Sequence, residues 1–504
     1  MNSKALKILI FLFTLNTITF YLYFSHPNHS HSPENHHSLP ENHYSLPENH
    51  SRFPLSKPWP ILPSYLPWDQ NQHVKNQSCE GFFGNGFTRR VDVLTTLPKI
   101  SRKGGWFRCL YSETLVSSVC EGGGIRMWPE RIRVARGGEK VDTVMGRSEE
   151  EEVPVFEDGA FDIGSSDGSW RGKKLVGEEF LHQYVPTGEI KRHTMMELID
   201  TIRVVGDDEL QCSEWVEEPT LLLTRFEYAN VFHTFTDFYS AYVASRVTGL
   251  PNRPHLVFID GHCETQLQET WQVLFSSIKY AKHFSGPVCF HHAILTPLGY
   301  ETAMFKGLTE KVDCHGASAH DLWQHPDDQR TARLSEFGEM IRAAFGFPVD
   351  RHRIFKPTSS HNILFVRRED YLAHPRHHGR IQTRLHNEAE VFEAVNSWAS
   401  NQQEYKLNVI NGRFAHMPMK DQVRAIQDAS VIIGAHGAAL TQIVSAEPKT
   451  IVLEIVAYKF RRPHFALIAQ WKGLKYHPIY LGGSYARPQV VIDELHKIVR
   501  SLEW

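Results

Sequence analysis

The sequence predicts an α/β protein of two successive domains standing behind a single N-terminal membrane anchor and stem. Three observations lead there. An uncharged apolar run opens the chain, short β-rich runs alternate with helical patterns through its body, and 504 residues exceed what one core of roughly 250–300 residues sustains.

The anchor comes first. Lys4 and Lys7 precede Ile8–Phe24, a run of 17 residues without charge. At about 1.5 Å per residue it spans roughly 26 Å, close to the thinner bilayers of the early secretory pathway. The basic flank leaves residues 1–7 in the cytosol and sends the body into the lumen, a type II arrangement. A cleaved signal peptide is the competing reading, but the run ends Tyr21-Leu-Tyr-Phe-Ser-His-Pro27, a poor fit to a small-x-small cleavage site. Residues 25–57 read as a disordered stem. Glu34-Asn-His-His-Ser-Leu-Pro recurs at Glu41 and, in part, at Glu48, while Pro40, Pro47 and Pro54 interrupt any helix. Glycosylation sequons begin at Asn28, Asn49 and Asn76, all on the lumenal side.

Beyond the stem, 58–355 and 356–504 are expected as the two domains, with a boundary near 350–360. The Gly-rich, charged stretch 137–177 is expected as a surface insertion. In the first domain a strand at Thr220–Thr224 leads to a helix over Asn230–Val247, then a strand at Pro254–Asp260 and a helix over Thr270–Tyr280. A helix over Ala332–Phe345 closes that domain. The second has strands at Asn362–Val366, Leu407–Ile410, Ser430–Ile433 and Thr450–Ile455, with helices over Asn387–Trp398 and Met419–Asp428 between them. Sites are expected at the C-terminal ends of such strands and in the cleft between the domains.

Composition narrows the function. With 54 basic and 57 acidic residues there is no cationic excess for nucleic acid. Cys79, Cys109, Cys120, Cys212, Cys263, Cys289 and Cys314 contain no CxxC; in an oxidising lumen most can pair, leaving an odd thiol. Neither Gly-x-Ser-x-Gly nor HExxH is present, and no Asp-x-Asp stands at a strand end to chelate metal.

Three segments carry candidate chemistry. In Val431-Ile-Ile-Gly-Ala-His-Gly-Ala438 a buried strand ends at Gly434 and a helix begins near Ala438. Gly434 and Gly437 let a ligand approach the backbone, the free N–H groups favour phosphate, and His436 can donate to it. The same residues would serve a tight connection whose histidine caps local structure. Arg367 and Arg368 follow another strand and present forks that suit a diphosphate, or else belong to a solvated charged loop. Asn230, His233 and Asp237 share one helix face. A His–Asp pair four residues apart can form an oriented general base, or simply the polar face of a buried helix.

Trp59–Trp68, Cys79-Glu-Gly-Phe-Phe-Gly-Asn-Gly-Phe-Thr88, Glu217–Asn230, Val366-Arg-Arg-Glu-Asp-Tyr-Leu-Ala-His-Pro-Arg376 and Asp421–Ala438 together resemble glycosyltransferase family 61. Within it they look like the branch of plant β-1,2-xylosyltransferases that act on the N-glycan core. The likeness runs from about residue 57 to the end. It implies a GT-B-type fold, two Rossmann-like domains facing across a cleft, with the body in the Golgi lumen. It implies UDP-xylose as donor, the core β-mannose of N-glycosylated glycoproteins as acceptor, inversion at the anomeric carbon, and neither a bound cofactor nor a required metal. Under that resemblance Arg367, Arg368, Gly434, His436 and Gly437 bind the donor, and Glu454 touches ribose or uracil. His233 supported by Asp237 is the base, with Asp237 alone as the other choice. The turn reads His-Gly-Ala-Ala where many relatives have His-Gly-Ala-Gly, so Ala439 adds a methyl group that alters packing.

Overall fold

The computed structural model describes residues 53–68, 74–95, 105–188, 190–349 and 360–502. The expected cytoplasmic tail, anchor, Asn28, Asn49 and stem to residue 52 lie outside them, as does the expected boundary at 350–359. Among the described residues no helix is long and apolar enough to cross a membrane.

The C-terminal half is a five-stranded, wholly parallel sheet. Its central strands, His361–Val366, Val431–Ala435 and Ile451–Val456, are apolar runs buried on both faces, which a parallel sheet covered by helices requires. Alternation divides the side chains. Ile363, Phe365, Val431, Ile433 and Leu453 join a core under the Glu388–Ser400 and Pro488–Arg500 helices. Leu364, Val366, Ile432 and Val452 face the Met419–Gln427 and His464–Lys472 helices. The edge strands Leu407–Gly412 and Lys475–Tyr480 are half exposed. In space, Leu407–Gly412 lies outside His361–Val366, and the later strands add on the other side. The winding therefore reverses between His361–Val366 and Val431–Ala435. In a doubly wound sheet, the crevice at the carboxyl ends of that pair is where ligands bind.

The N-terminal half departs from the all-parallel expectation. Ala293–Leu295, Thr220–Leu223, His255–Phe258 and Ile278–Tyr280 are parallel neighbours, but Ser117–Gly123, Trp106–Ser112 and Arg89–Leu94 extend them antiparallel into a seven-stranded sheet. The expected helix over 270–280 is shorter, Gln268–Leu274, because Ile278–Tyr280 pairs with His255–Phe258 as the edge strand. One face of the sheet packs on the Val231–Val247 and Arg333–Ala344 helices, the other on a second, five-stranded sheet.

The second sheet changes the reading of 137–177. Phe161–Ser165 is a fully buried strand within it, and Val153, Leu175 and Val176 are core residues. The stretch is thus structural in part, not a surface insertion throughout, because Phe161 and Ile163 share one face of a strand and fill the gap between the sheets. Cys109 and Cys120 face each other across a hairpin and are bonded, as are Cys79 with Cys314 and Cys212 with Cys289; buried Cys263 is the odd thiol.

A single apolar cluster runs through both halves. Phe83 meets Trp471 at 5.4 Å, and Phe232 meets His464 at 4.9 Å between ring centroids. The halves are therefore fused on one side and part on the other.

Candidate functional site

Where they part lies a cavity of about 280 Å³, lined by Glu227, Asn230 and Val231 from the first half and by Arg367, Arg368, Tyr371, Ala438 and Ala439 from the second. The Val231–Val247 helix points its N-terminus here, with Asn230 as cap accepting from Phe232 N–H at 3.0 Å. Apart from Val231, His233 and Arg246, the helix is buried all round, so its orientation is set by the core. The Tyr371 hydroxyl donates to the Ala229 carbonyl at 3.3 Å and ties the two walls together.

The switch point brings Arg368 and Gly437 together. A Cβ on Gly437 would collide with Arg368 Nη1 and stand 3.0 Å from Cζ, so the guanidinium lies directly on this turn. Gly437 caps the 3-10 helix Ala438–Ser445. Arg368 is pulled below its ordinary pKa by burial, and its Nε is buried without a partner.

Arg367 differs. Its Nε donates to Glu388 Oε2 at 3.0 Å, and the same carboxylate accepts the Arg368 backbone N–H. Arg367 therefore holds the loop through Nε while lining the cavity. Gly434 is displaced from direct contact. It is buried in its strand, and a Cβ there would stand 3.0 Å from Leu440 Cδ2, so it allows the 3-10 helix to pack closely.

His436 is 5% exposed, and its Nδ1 lies 2.6 Å from Glu454 Oε1. Glu454 is fully buried and also accepts the Tyr476 hydroxyl at 2.5 Å on Oε2. Each carboxylate oxygen already accepts one hydrogen bond inside the fold. Glu454 orients His436, fixing Nδ1 and leaving Nε2 for a ligand.

The expected His233–Asp237 pair does not form. Asp237 turns into the core, 6% exposed, where the Gly299 N–H donates to it and Arg225 and Asp260 stand nearby. Burial holds its carboxyl well above the usual range. The reason is packing: the Asp237 carboxylate lies against Gly299, so closely that a Cβ there would overlap Oδ1, and is held in the core away from the imidazole. His233 stays at the first turn with Tyr300 and Phe305 around its ring, at 5.4 and 5.9 Å, and Nδ1 buried without a partner. Burial lowers its pKa, with Glu227 opposing, so the imidazole is favoured in its neutral form. His464, held down to about 4 by burial and by His436, Arg462 and His233, lies beside His436, with ring centroids 6.0 Å apart.

The sequence reading took Glu388 only as part of the acidic start of a helix, and passed over Tyr476 and His464. Their positions near Arg367, Glu454 and His436 follow from sheet order, which no local pattern announces. Among the described residues no cluster of three or more His, Cys, Asp or Glu side chains is arranged to hold a metal ion.

Comparison with known proteins agrees with this architecture. The family model described as Glycosyltransferase 61 matches residues 193–453. A β-1,2-xylosyltransferase of Arabidopsis thaliana is 56% identical, covering 99% of both chains. Another from Oryza sativa subsp. japonica is 60% identical over 88% of this chain and 83% of its own. More distantly, an EGF domain-specific O-linked N-acetylglucosamine transferase of Gallus gallus is 21% identical over 53% of this chain and 45% of its own.

Proposed function

Because the chain belongs to glycosyltransferase family 61, we propose that it is an inverting enzyme transferring xylose from UDP-α-D-xylose to the 2-hydroxyl of the core β-mannose of N-linked glycans. The identity of the transferred sugar is supported by the two plant relatives, and the donor site by one observation, the Arg368 guanidinium seated on the Gly437 turn at the switch point. On this reading the halves work as a GT-B pair, the second holding the nucleotide and the first the acceptor.

Inversion needs a single displacement. His233, one turn into the helix that starts at the cavity and favoured in its neutral form by burial, takes the proton of the acceptor hydroxyl as its oxygen attacks the anomeric carbon. The bond to the UDP oxygen breaks on the opposite face. Arg368 and the N–H groups at the Ala438 turn stabilise the growing diphosphate charge, and His436, held through Nδ1 by Glu454, shapes that turn around it. The reading assigns charge neutralisation to these groups and calls for no metal, so turnover should persist in excess chelator.

The same reading places the body in the Golgi lumen as a type II membrane protein. Its supports are the Lys4/Lys7 flank before the apolar run and the three disulfides, which suit an oxidising compartment.

The test is to incubate the purified full chain with UDP-xylose, UDP-N-acetylglucosamine and other UDP-sugars and a defined N-glycan, followed by mass spectrometry. Gain of one pentose from UDP-xylose is the expected result. Transfer of a different sugar, or of none, overturns it.

A further inference from the structure

We propose that Arg384, and not Arg367, supplies the second guanidinium of the diphosphate clamp beside Arg368, in a site for the pyrophosphate of a nucleoside diphosphate. This rests on the donor reading above and assigns the residue that completes it.

The argument begins with what each arginine lacks. Arg367 has a carboxylate partner, Glu388, at 3.0 Å. Arg384 lies flat on Phe460, its Cζ 3.4 Å from the ring centroid, and both Nε and Nη1 are buried without a hydrogen-bond partner. The charged groups acting on it are Arg368 and Arg462, both cations. Burial first, then these two neighbours, bring its pKa down to about 10. A guanidinium with two nitrogens shut off from water, stacked in place and facing like charges is costly unless an anion completes it.

The space for that anion exists. Arg368, Thr383 and Arg384 line a second cavity of about 220 Å³, which shares Arg368 and Ile381 with the main cleft; its two carboxylates are engaged elsewhere, Asp370 by the Ile381 N–H and Glu388 by Arg367. Phe460 fixes the fork before any ligand arrives, so little side-chain entropy is lost on binding. A planar fork with free donors, next to another whose Nε is also free, matches the paired oxygens of a diphosphate. A monophosphate or a neutral sugar would leave one fork unsatisfied.

The decisive experiment titrates the full chain with UDP, UMP and uridine by calorimetry, for wild type, Arg384→Ala and Arg367→Ala. The expected result is a loss of about ten- to a hundredfold in UDP affinity for Arg384→Ala, with uridine affinity unchanged and the melting temperature kept, since no partner is orphaned. Arg367→Ala should hold UDP within about threefold while melting earlier, because Glu388 is left unpaired. UDP affinity within threefold of wild type in Arg384→Ala, or equal losses for UDP and uridine, overturns the proposal. Arg384→Lys separates charge from geometry: it should recover only part of the loss, and full recovery would overturn the fork argument. If wild type itself does not bind UDP, the donor reading fails, and this proposal falls with it.

Discussion

Replacing Gly437 by alanine tests the donor site with one methyl group. The backbone there has φ of 179°, an extended conformation open to any residue, so the effect is steric alone. The new Cβ would overlap Arg368 Nη1 and stand 3.0 Å from Cζ, and the guanidinium must retreat by roughly 1.5 Å to reach ordinary contact. At an effective dielectric of about 20, moving a unit charge from about 4 to about 5.5 Å from a phosphate costs roughly 1 kcal/mol. A diphosphate carries about two such charges, so the loss is about 2 kcal/mol, or roughly thirtyfold in Kd. The fold should tolerate the change, because the displaced group is the end of a flexible side chain. Calorimetry with UDP and thermal melting measure both quantities. In a cycle with Arg368→Ala, the two losses should overlap and not add. Wild-type UDP affinity in Gly437→Ala, or full additivity with Arg368→Ala, would refute the placement of Arg368 in the clamp.

Three further outcomes are expected. His233→Ala should lower kcat by roughly 10²–10⁴ with UDP affinity intact, whereas Asp237→Asn should keep most activity, since an amide oxygen can accept the Gly299 N–H; the reverse pattern in steady-state kinetics would move the base to Asp237. Glu454→Gln should lower kcat roughly tenfold or more by loosening His436, and Tyr476→Phe less; unchanged kinetics in both would show that His436 needs no alignment. Lys472 is 7% exposed, and burial, with Arg342 nearby, brings it down to about 7. The folded pKa lies below the unfolded value of 10.5, so the unfolded chain binds more protons between those limits and stability rises with pH across them. Lys472→Met should therefore stabilise most at or below pH 7, by up to about 5 kcal/mol, and the gain should shrink toward pH 10. Denaturant unfolding at pH 6, 8 and 10 checks this, and a gain independent of pH would contradict it.

Strand order matters more than proximity in sequence at this site. Arg367 and Arg368 are adjacent, yet successive side chains at a strand end point apart. One turns to Glu388 at the head of the next helix, the other toward the Gly437 turn. His436 and Glu454 are 18 positions apart but lie on neighbouring strands, where Gly434 pairs with Glu454 and Ala435 with Ile455. Conversely, His233 and Asp237 sit one helical turn apart and go to different environments.

The sequence by itself determined what depends on short-range periodicity and composition. The apolar strands of the C-terminal sheet, most of the helices between them, the strand–turn–helix around His436 and an odd cysteine were all legible. So was the choice of family, because motifs such as Val366–Arg376 and Asp421–Ala438 are local strings. Only the tertiary structure decided which of these groups still has charge or hydrogen bonds to offer a ligand. Glu388 pairs with Arg367 Nε, Glu454 holds His436 and Tyr476, and the core absorbs Asp237. Arg384, which the sequence reading left open between a ligand contact and a charged loop, is a stacked cation whose Nε and Nη1 have no partner. A residue's availability depends on its neighbours across the sheet, and those are set by chain crossovers that local spacing does not encode.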